Sequence, residues 1–302
     1  MRGVPNMLSR SRVLLSVLVS LGFPLILVAA DVKTPPARLS AAQIVEKHVA
    51  ARGGLQAWRA VRTLSWTGKM DAGVGDSAAR SALYVKNMWG HGAKAAKAAA
   101  GGAGADKAAA AEKAPAQVQL PFVLEMKRPG KSRVEIQFAG KTAVQVYDGT
   151  NGWKVRPFLN RKEVEPFTPQ EAKAQASQGE LDGLLMDYAV KGTKVELDGV
   201  EPVEGRNAYK LKLTMKNGDV RHVWIDVQSF LDVKVEGTPR RMDGRMRTVW
   251  VYQRDFRSVQ GVMVPFLLET AVEGYSDTHK MILEKVALNP PLDDALFAKP
   301  TA

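Results

Sequence analysis

Tyr209, Leu211, Leu213 and Met215 alternate with Lys210, Lys212 and Thr214. A chain written this way lays one side of a strand on an apolar core and leaves the other to water. Val134, Ile136 and Phe138 alternate with Arg133, Glu135 and Gln137 in the same sense, and Val223, Ile225 and Val227 repeat it. VQLPFVLEMKR, TAVQVYDG, TKVELDGVE, LDVKVEG, RMRTVWVYQRDF, GVMVPFLLETAVEG and HKMILEKVAL bring the total to about ten strands. Lys216-Asn217-Gly218-Asp219 supplies an Asn-Gly hairpin between two of them. One-sided strands of this kind pair antiparallel. A sheet of so many strands curls rather than staying flat.

Helical signals are few. Ser40 and Gln43 form a capping box ahead of IVEKHVAAR, Gly53-Gly54 ends that helix, and LQAWRAV makes a short second one. Thr168, Pro169 and Glu171 stand at N-cap, N1 and N3 of a third. Leu181, Leu184, Leu185 and Tyr188 continue at helical spacing, so the expected helices run over 41–52, 55–61 and 169–189. His48 sits on an apolar helix face and reads as a core residue. His222 shares its strand face with Trp224 and Asp226, which reads as the wet side.

The first 30 residues follow a different grammar. Arg2, Arg10 and Arg12 precede an apolar run from Val13 to Ala30 that ends in Val28-Ala29-Ala30, the pattern of a cleaved secretory signal peptide over 1–30 and of a periplasmic destination. Residues 31–302 then form one domain. From 90 to 117 the text collapses into Ala, Gly and Lys without a large apolar anchor, an expected disordered insertion between two strands.

Catalytic chemistry finds little purchase. There is no cysteine, hence no disulfide framework and no thiol nucleophile. His48, His91, His222 and His279 lack metal-ligand spacing, and no HExxH is present. Gly75-Asp76-Ser77 and Ser276-Asp277-Thr278-His279 resemble fragments of a serine esterase, but Ala78 and the Asp–His spacing break the pattern. At Pro129-Gly130-Lys131-Ser132 a phosphate loop would need glycine where Glu125 stands. YDGTNGWKV, residues 147–155, lacks the alternating oxygens and twelfth-position glutamate of a calcium loop, so Asp148-Gly149 and Asn151-Gly152 read as a corner with positive φ angles. The expectation is a protein that is not an enzyme and uses no cofactor or metal. A formal charge of +12 suits an anionic membrane surface; without a nucleic-acid motif it does not argue for nucleic acid.

Four stretches, RGGLQAWRAVRTLSWTG, YDGTNGWKV, WVYQRDFRSVQGVMVPF and LNPPLDDALFAKP, together with the leader, resemble the LolA-like family of exported envelope proteins, the outer-membrane lipoprotein-sorting proteins and their relatives. The resemblance covers most of residues 40–300. It implies an α+β fold in which a strongly curved antiparallel sheet, an incomplete β-barrel, carries a few helices over its concave face. It also implies a non-enzymatic carrier of lipid or lipoprotein acyl chains in the periplasm. Some relatives are instead sensors that signal to a protein of the inner or outer membrane.

The residues agree with that expectation: about ten one-sided strands present more apolar surface than three short helices cover. At roughly 25 cal/mol per Å², such a face is costly to leave wet. The expected cavity-lining residues are Trp66, Phe122, Leu124, Ile136, Phe138, Trp153, Leu211 and Ile225 from the sheet, with Leu184 and Leu185 from the third helix as a movable lid.

Overall fold

The computed structural model describes residues 39–74, 117–157, 161–178 and 180–301. The leader, Ser77, His91 and nearly all of the Ala/Gly/Lys stretch lie outside the described residues.

The chain begins with α1 (Ala41–Ala51) and α2 (Leu55–Ala60). Six strands follow: β1 (Thr63–Val74), β2 (Gln117–Lys127), β3 (Lys131–Phe138), β4 (Lys141–Tyr147), β5 (Gly152–Arg156) and β6 (Arg161–Pro166). After α3 (Pro169–Gln178) come β7 (Lys194–Val203), β8 (Arg206–Thr214), β9 (Val220–Asp226) and β10 (Asp232–Glu236). A small hairpin of β11 (Arg240–Met242) and β12 (Arg245–Arg247) precedes β13 (Val249–Val259), β14 (Val262–Val272) and β15 (His279–Leu288).

All but β11 and β12 join one antiparallel sheet of 13 strands, in the order β6-β5-β4-β3-β2-β1-β15-β14-β13-β10-β9-β8-β7. Two meanders run outward from the central β1–β15 pair, and the edge strands β6 and β7 do not meet. The sheet is large, open and antiparallel, as expected. The count exceeds ten because β5 and β6 are too short to declare themselves by alternation. Bulges at Thr67/Gly68 in β1, Leu197/Val200 in β7 and Asp232/Lys234 in β10 bend the strands locally.

The topology forces one long connection. Because β6 and β7 are opposite edges, the segment joining them must cross a face of the sheet, and α3 with residues 180–193 makes that crossing. Cross-strand register defines which face. Leu64, Trp66 and Met70 pair with Met126, Leu124 and Leu120, and Phe122 and Leu124 pair with Ile136 and Val134. On the other arm Leu211 pairs with Val223, and Tyr209 with Ile225. This inner face holds two apolar clusters. One gathers Trp58, Leu64, Met70, Leu120, Phe122, Ile136, Leu181, Met186, Val264 and Leu283; the other gathers Ile44, Val45, Leu185, Leu211, Leu213, Val223 and Ile225.

Both predicted capping boxes form. The Ser40 hydroxyl accepts from the Gln43 amide while the Gln43 side chain accepts from the Ser40 amide, and Thr168 and Glu171 repeat the exchange at α3. The third helix, however, stops at Gln178 rather than 189. Leu181–Tyr188 is a series of turns in which Gly183 and Asp187 take positive φ, a backbone that helical spacing of leucines cannot override. The expected helical extent of 169–189 is therefore corrected, and Leu184 and Leu185 stand on turns rather than on a helix. Arg59 donates two hydrogen bonds to Asp187 and Arg128 one to Asp182, which ties the turns to α2 and β2.

The α1–α2 corner is pressed against the β13–β14 hairpin. A Cβ at Gly53 would fall 2.2 Å from the Gly261 carbonyl oxygen, and Gly53 has φ +103°. Beside it Arg52 is buried. Its Nε donates to the Met263 carbonyl at 2.9 Å, its Nη1 meets Asp232 Oδ1 at 2.9 Å, and its own carbonyl accepts from Trp58 Nε1 and the Met263 amide. His48, one turn earlier, donates from Nδ1 to the Phe230 carbonyl at 2.9 Å, the satisfied core histidine expected of it.

YDGTNGWKV is a corner. Asp148 accepts from the Thr150 and Asn151 amides, and Gly149 has φ +102°. Gly152 serves differently than expected. Its φ is not positive; the ring of Phe167 lies where its Cβ would be. The second correction concerns His222, Trp224 and Asp226, whose face is not wet: Trp224 and Asp226 are buried, and Val203, Ala208, Trp250 and Tyr252 pack with the indole. Residues 289–301 close the opposite side of the other arm. Lys127 and Arg133 donate to the Leu292 and Leu296 carbonyls, and Phe297 is buried there.

Candidate functional site: a hollow at the open end of the inner face

The first apolar cluster reaches the end of the sheet where β1 finishes and β2 starts through Met70 and Leu120. A hollow of about 440 Å³ lies there, lined by Val118, Leu120, Pro121 and Phe138 with the β3–β4 turn through Lys141. That volume falls within the range of small-ligand pockets. Leu120 belongs to the first cluster and Phe138 packs against it, whereas Val118, Gln119, Pro121 and Gln137 are exposed, so the hollow is an open groove at the rim of the sheet that touches the core along one side. Lys141 is exposed at its rim.

The ten residues expected to line a cavity divide by position. Phe122 and Ile136 are buried in the first cluster, with Trp66, Leu124 and Phe138 packed against it. Phe138 alone lines the hollow. Leu211, Ile225 and Leu185 are buried in the second cluster with Ile44 and Val45 of α1, and Leu184 packs beside them. Trp153 is on the other face: it is the cross-strand partner of Val146, while Lys154 and Arg156 take the inward positions of β5. Strand parity counted from the returning strand, rather than hydrophobicity, decides that placement.

Sequence reasoning missed the polar half of the inner face. Lys154 and Glu171 form a buried ion pair between β5 and α3, Arg156 pairs with Glu165, and Gln175 donates to the Ser132 hydroxyl at 3.0 Å. The alternation within Gly152–Arg156 carries this signal, since Lys154 and Arg156 share a side. Trp66 Nε1, Gln145 Oε1 and Arg156 Nε are buried on the inner face without a hydrogen-bond partner among the described residues. Buried polar atoms are normally paired, and leaving one unmatched costs on the order of 1–3 kcal/mol. Two of these atoms, Trp66 Nε1 and Arg156 Nε, are donors that an oxygen could satisfy, whereas Gln145 Oε1 is an acceptor and needs a donor.

Among the described residues no group of three or more His, Asp or Glu side chains could hold a metal ion. Of the esterase-like pattern, Ser276-Asp277-Thr278-His279 lies within the described residues; His279 begins β15 and is half-buried, with its imidazole pKa lowered to about 4, chiefly by burial.

No protein-family model and no curated protein matches the sequence. Solved structures do match. A LolA superfamily protein from Nitrosomonas europaea superimposes with a TM-score of 0.50 at 15% identity, covering 86% of this chain and 98% of that one. The fold is LolA-like. An outer membrane lipoprotein-sorting protein domain from Vibrio parahaemolyticus matches with a TM-score of 0.50 at 11% identity, over 86% of this chain and 96% of that one. A DUF1329 family protein from Desulfovibrio piger matches equally well at 12% identity, over 85% and 97%. The expected fold class is thereby met.

Proposed function

We propose that this protein is a non-enzymatic binding protein of the periplasm, exported by a cleaved leader, that holds the acyl chain of a lipid or lipoprotein in the hollow at the open end of its sheet. The observation that carries the reading is the hollow itself: an open groove whose apolar side is formed by Leu120, Pro121 and Phe138 and which borders the core through Leu120 and Phe138, in a LolA-like fold. The outer-membrane lipoprotein-sorting domain among the structural neighbours supports the same class of guest.

The reading is specific about what moves. Leu185 and Met186 are buried in the two clusters, so entry runs through the open end and not beneath the β6–β7 crossing. Native mass spectrometry of the protein purified from periplasmic extract tests this. Co-purifying acyl lipid supports it. Protein free of lipid that also takes up no added fatty acid refutes it.

A further inference from the structure

The β11–β12 hairpin packs four arginines and two methionines into eight residues, RRMDGRMR. Arg240 stands directly across from Arg247, and Met242 across from Arg245, so three arginines share one face; Arg241 and Met246 share the other. Like charges paired across strands destabilise a hairpin, and a two-stranded hairpin has little stability to spare. Among the described residues no carboxylate forms an ion pair with Arg240, Arg241, Arg245 or Arg247. Glu273 lies near Arg247, but its carboxylate accepts from the Thr248 amide. The one acid of the hairpin, Asp243, accepts from the Tyr275 hydroxyl, and the Arg247 guanidinium lies over the Tyr275 ring at 6.0 Å. The hairpin is thus held in place with its charge unspent. Arg241, Arg245 and Met246 are exposed.

Its position adds the second observation. The hairpin leads into β13, whose first residue Val249 pairs with Val272 at the end of β14. The same end of the sheet carries His279 at the start of β15, Asp71 of β1 and its partner Gln119, which lines the hollow. The basic hairpin and the mouth of the hollow therefore lie at one end of the sheet.

We propose that the hairpin Arg240–Arg247 docks this end of the sheet onto an anionic lipid surface, arginines on headgroup phosphates and Met246 toward the hydrocarbon. Guanidinium groups match phosphate oxygens in pairs. An exposed methionine among them suits a surface that offers phosphate and hydrocarbon together, which nucleic acid does not. The proposal takes the role of the hollow from the reading above and adds the membrane at which a guest would enter or leave.

Vesicle co-sedimentation of the full chain tests it, comparing phosphatidylglycerol–phosphatidylcholine vesicles with phosphatidylcholine alone. Each arginine near an anionic surface contributes about fivefold in affinity, so Arg241→Ser with Arg245→Ser should weaken binding to the anionic vesicles by roughly 30-fold. Lys194→Ser with Lys212→Ser, on the far arm, should change it little, and added salt should weaken the wild type. Equal binding to both vesicle types, indifference to the arginine pair, or tighter arginine-dependent binding to a single-stranded oligonucleotide would overturn the proposal. Titration of each variant with a fluorescent fatty acid in vesicle-free solution separates the two ideas. Arginine-dependent docking without fatty-acid uptake leaves docking standing and removes the acyl-chain reading; uptake without docking does the reverse.

Discussion

Arg52 Nη1 lies 2.9 Å from Asp232 Oδ1, and both side chains are almost sealed from water. This pair joins the C-terminal end of α1 to β10, while the Arg52 Nε and carbonyl group bond to Met263 in β14. One residue from the RGG corner thus anchors the helices to the sheet. Removing one member of a buried pair strands the other, at a cost of about 3–5 kcal/mol. Arg52→Met should therefore lower stability by about that amount, measured by urea unfolding. A loss below about 1 kcal/mol, the range of an exposed pair, would contradict the burial described for it.

Gly53 and Gly140 both have positive φ, but only Gly53 faces a neighbour: the Gly261 carbonyl would be 2.2 Å from an added Cβ, whereas nothing lies within 4 Å at Gly140. Gly140→Ala should cost about 1 kcal/mol, the backbone strain alone. Gly53→Ala should cost clearly more, because two backbone segments must separate. Thermal unfolding of the two variants side by side checks the order, and equal losses would show that the α1–α2 corner is not pressed on the β13–β14 hairpin.

Lys154 and Glu171 connect β5 to α3. Lys154→Met alone should destabilise by about 3 kcal/mol, and Lys154→Met with Glu171→Leu should recover most of it, since an apolar pair of similar volume replaces a buried ion pair at little cost. Urea midpoints of the single and double variants decide the matter. No recovery in the double variant would mean that Glu171 serves chiefly as the helix cap it forms with Thr168.

His48 and His279 have lowered pKa values, burial being the largest cause at each; at His279, where the value falls to about 4, Asp71 opposes the shift and Arg240 adds to it. Each ring stays neutral in the folded chain where an unfolded one takes up a proton, near the ordinary value of 6.5. Unfolding therefore binds protons as the pH falls. The contribution of each is complete above the ordinary value and is lost as the pH falls below it, at His279 down toward about 4. Replacing His279 with Gln should flatten that part of the stability–pH curve. The His279 ring resonances in NMR should titrate near 4, and titration near 6.5 would contradict the structure.

Much of the fold was legible in strand alternation because half-buried antiparallel strands write their two faces into every second residue. The inner positions of Trp66, Phe122, Leu124, Ile136, Phe138, Leu211 and Ile225 follow from it. What alternation cannot convey is the order of strands. That β6 and β7 are opposite edges depends on pairing between residues far apart in sequence, and it is this pairing that sends α3 and Leu181–Tyr188 across the inner face. The same limit explains Trp153, whose side depends on a corner and a register.

The hollow beside Leu120 and Phe138 carries the whole functional account, and a fluorescent fatty-acid titration of the wild type against Phe138→Asp probes it most directly. Wild-type protein should bind with saturable affinity, and a carboxylate in place of the Phe138 ring should weaken binding at least about tenfold with secondary structure intact, since a bound hydrocarbon would have to strip water from that charge, at a cost above about 1.4 kcal/mol. Absence of wild-type binding, or equal affinity in the two proteins, would contradict the account.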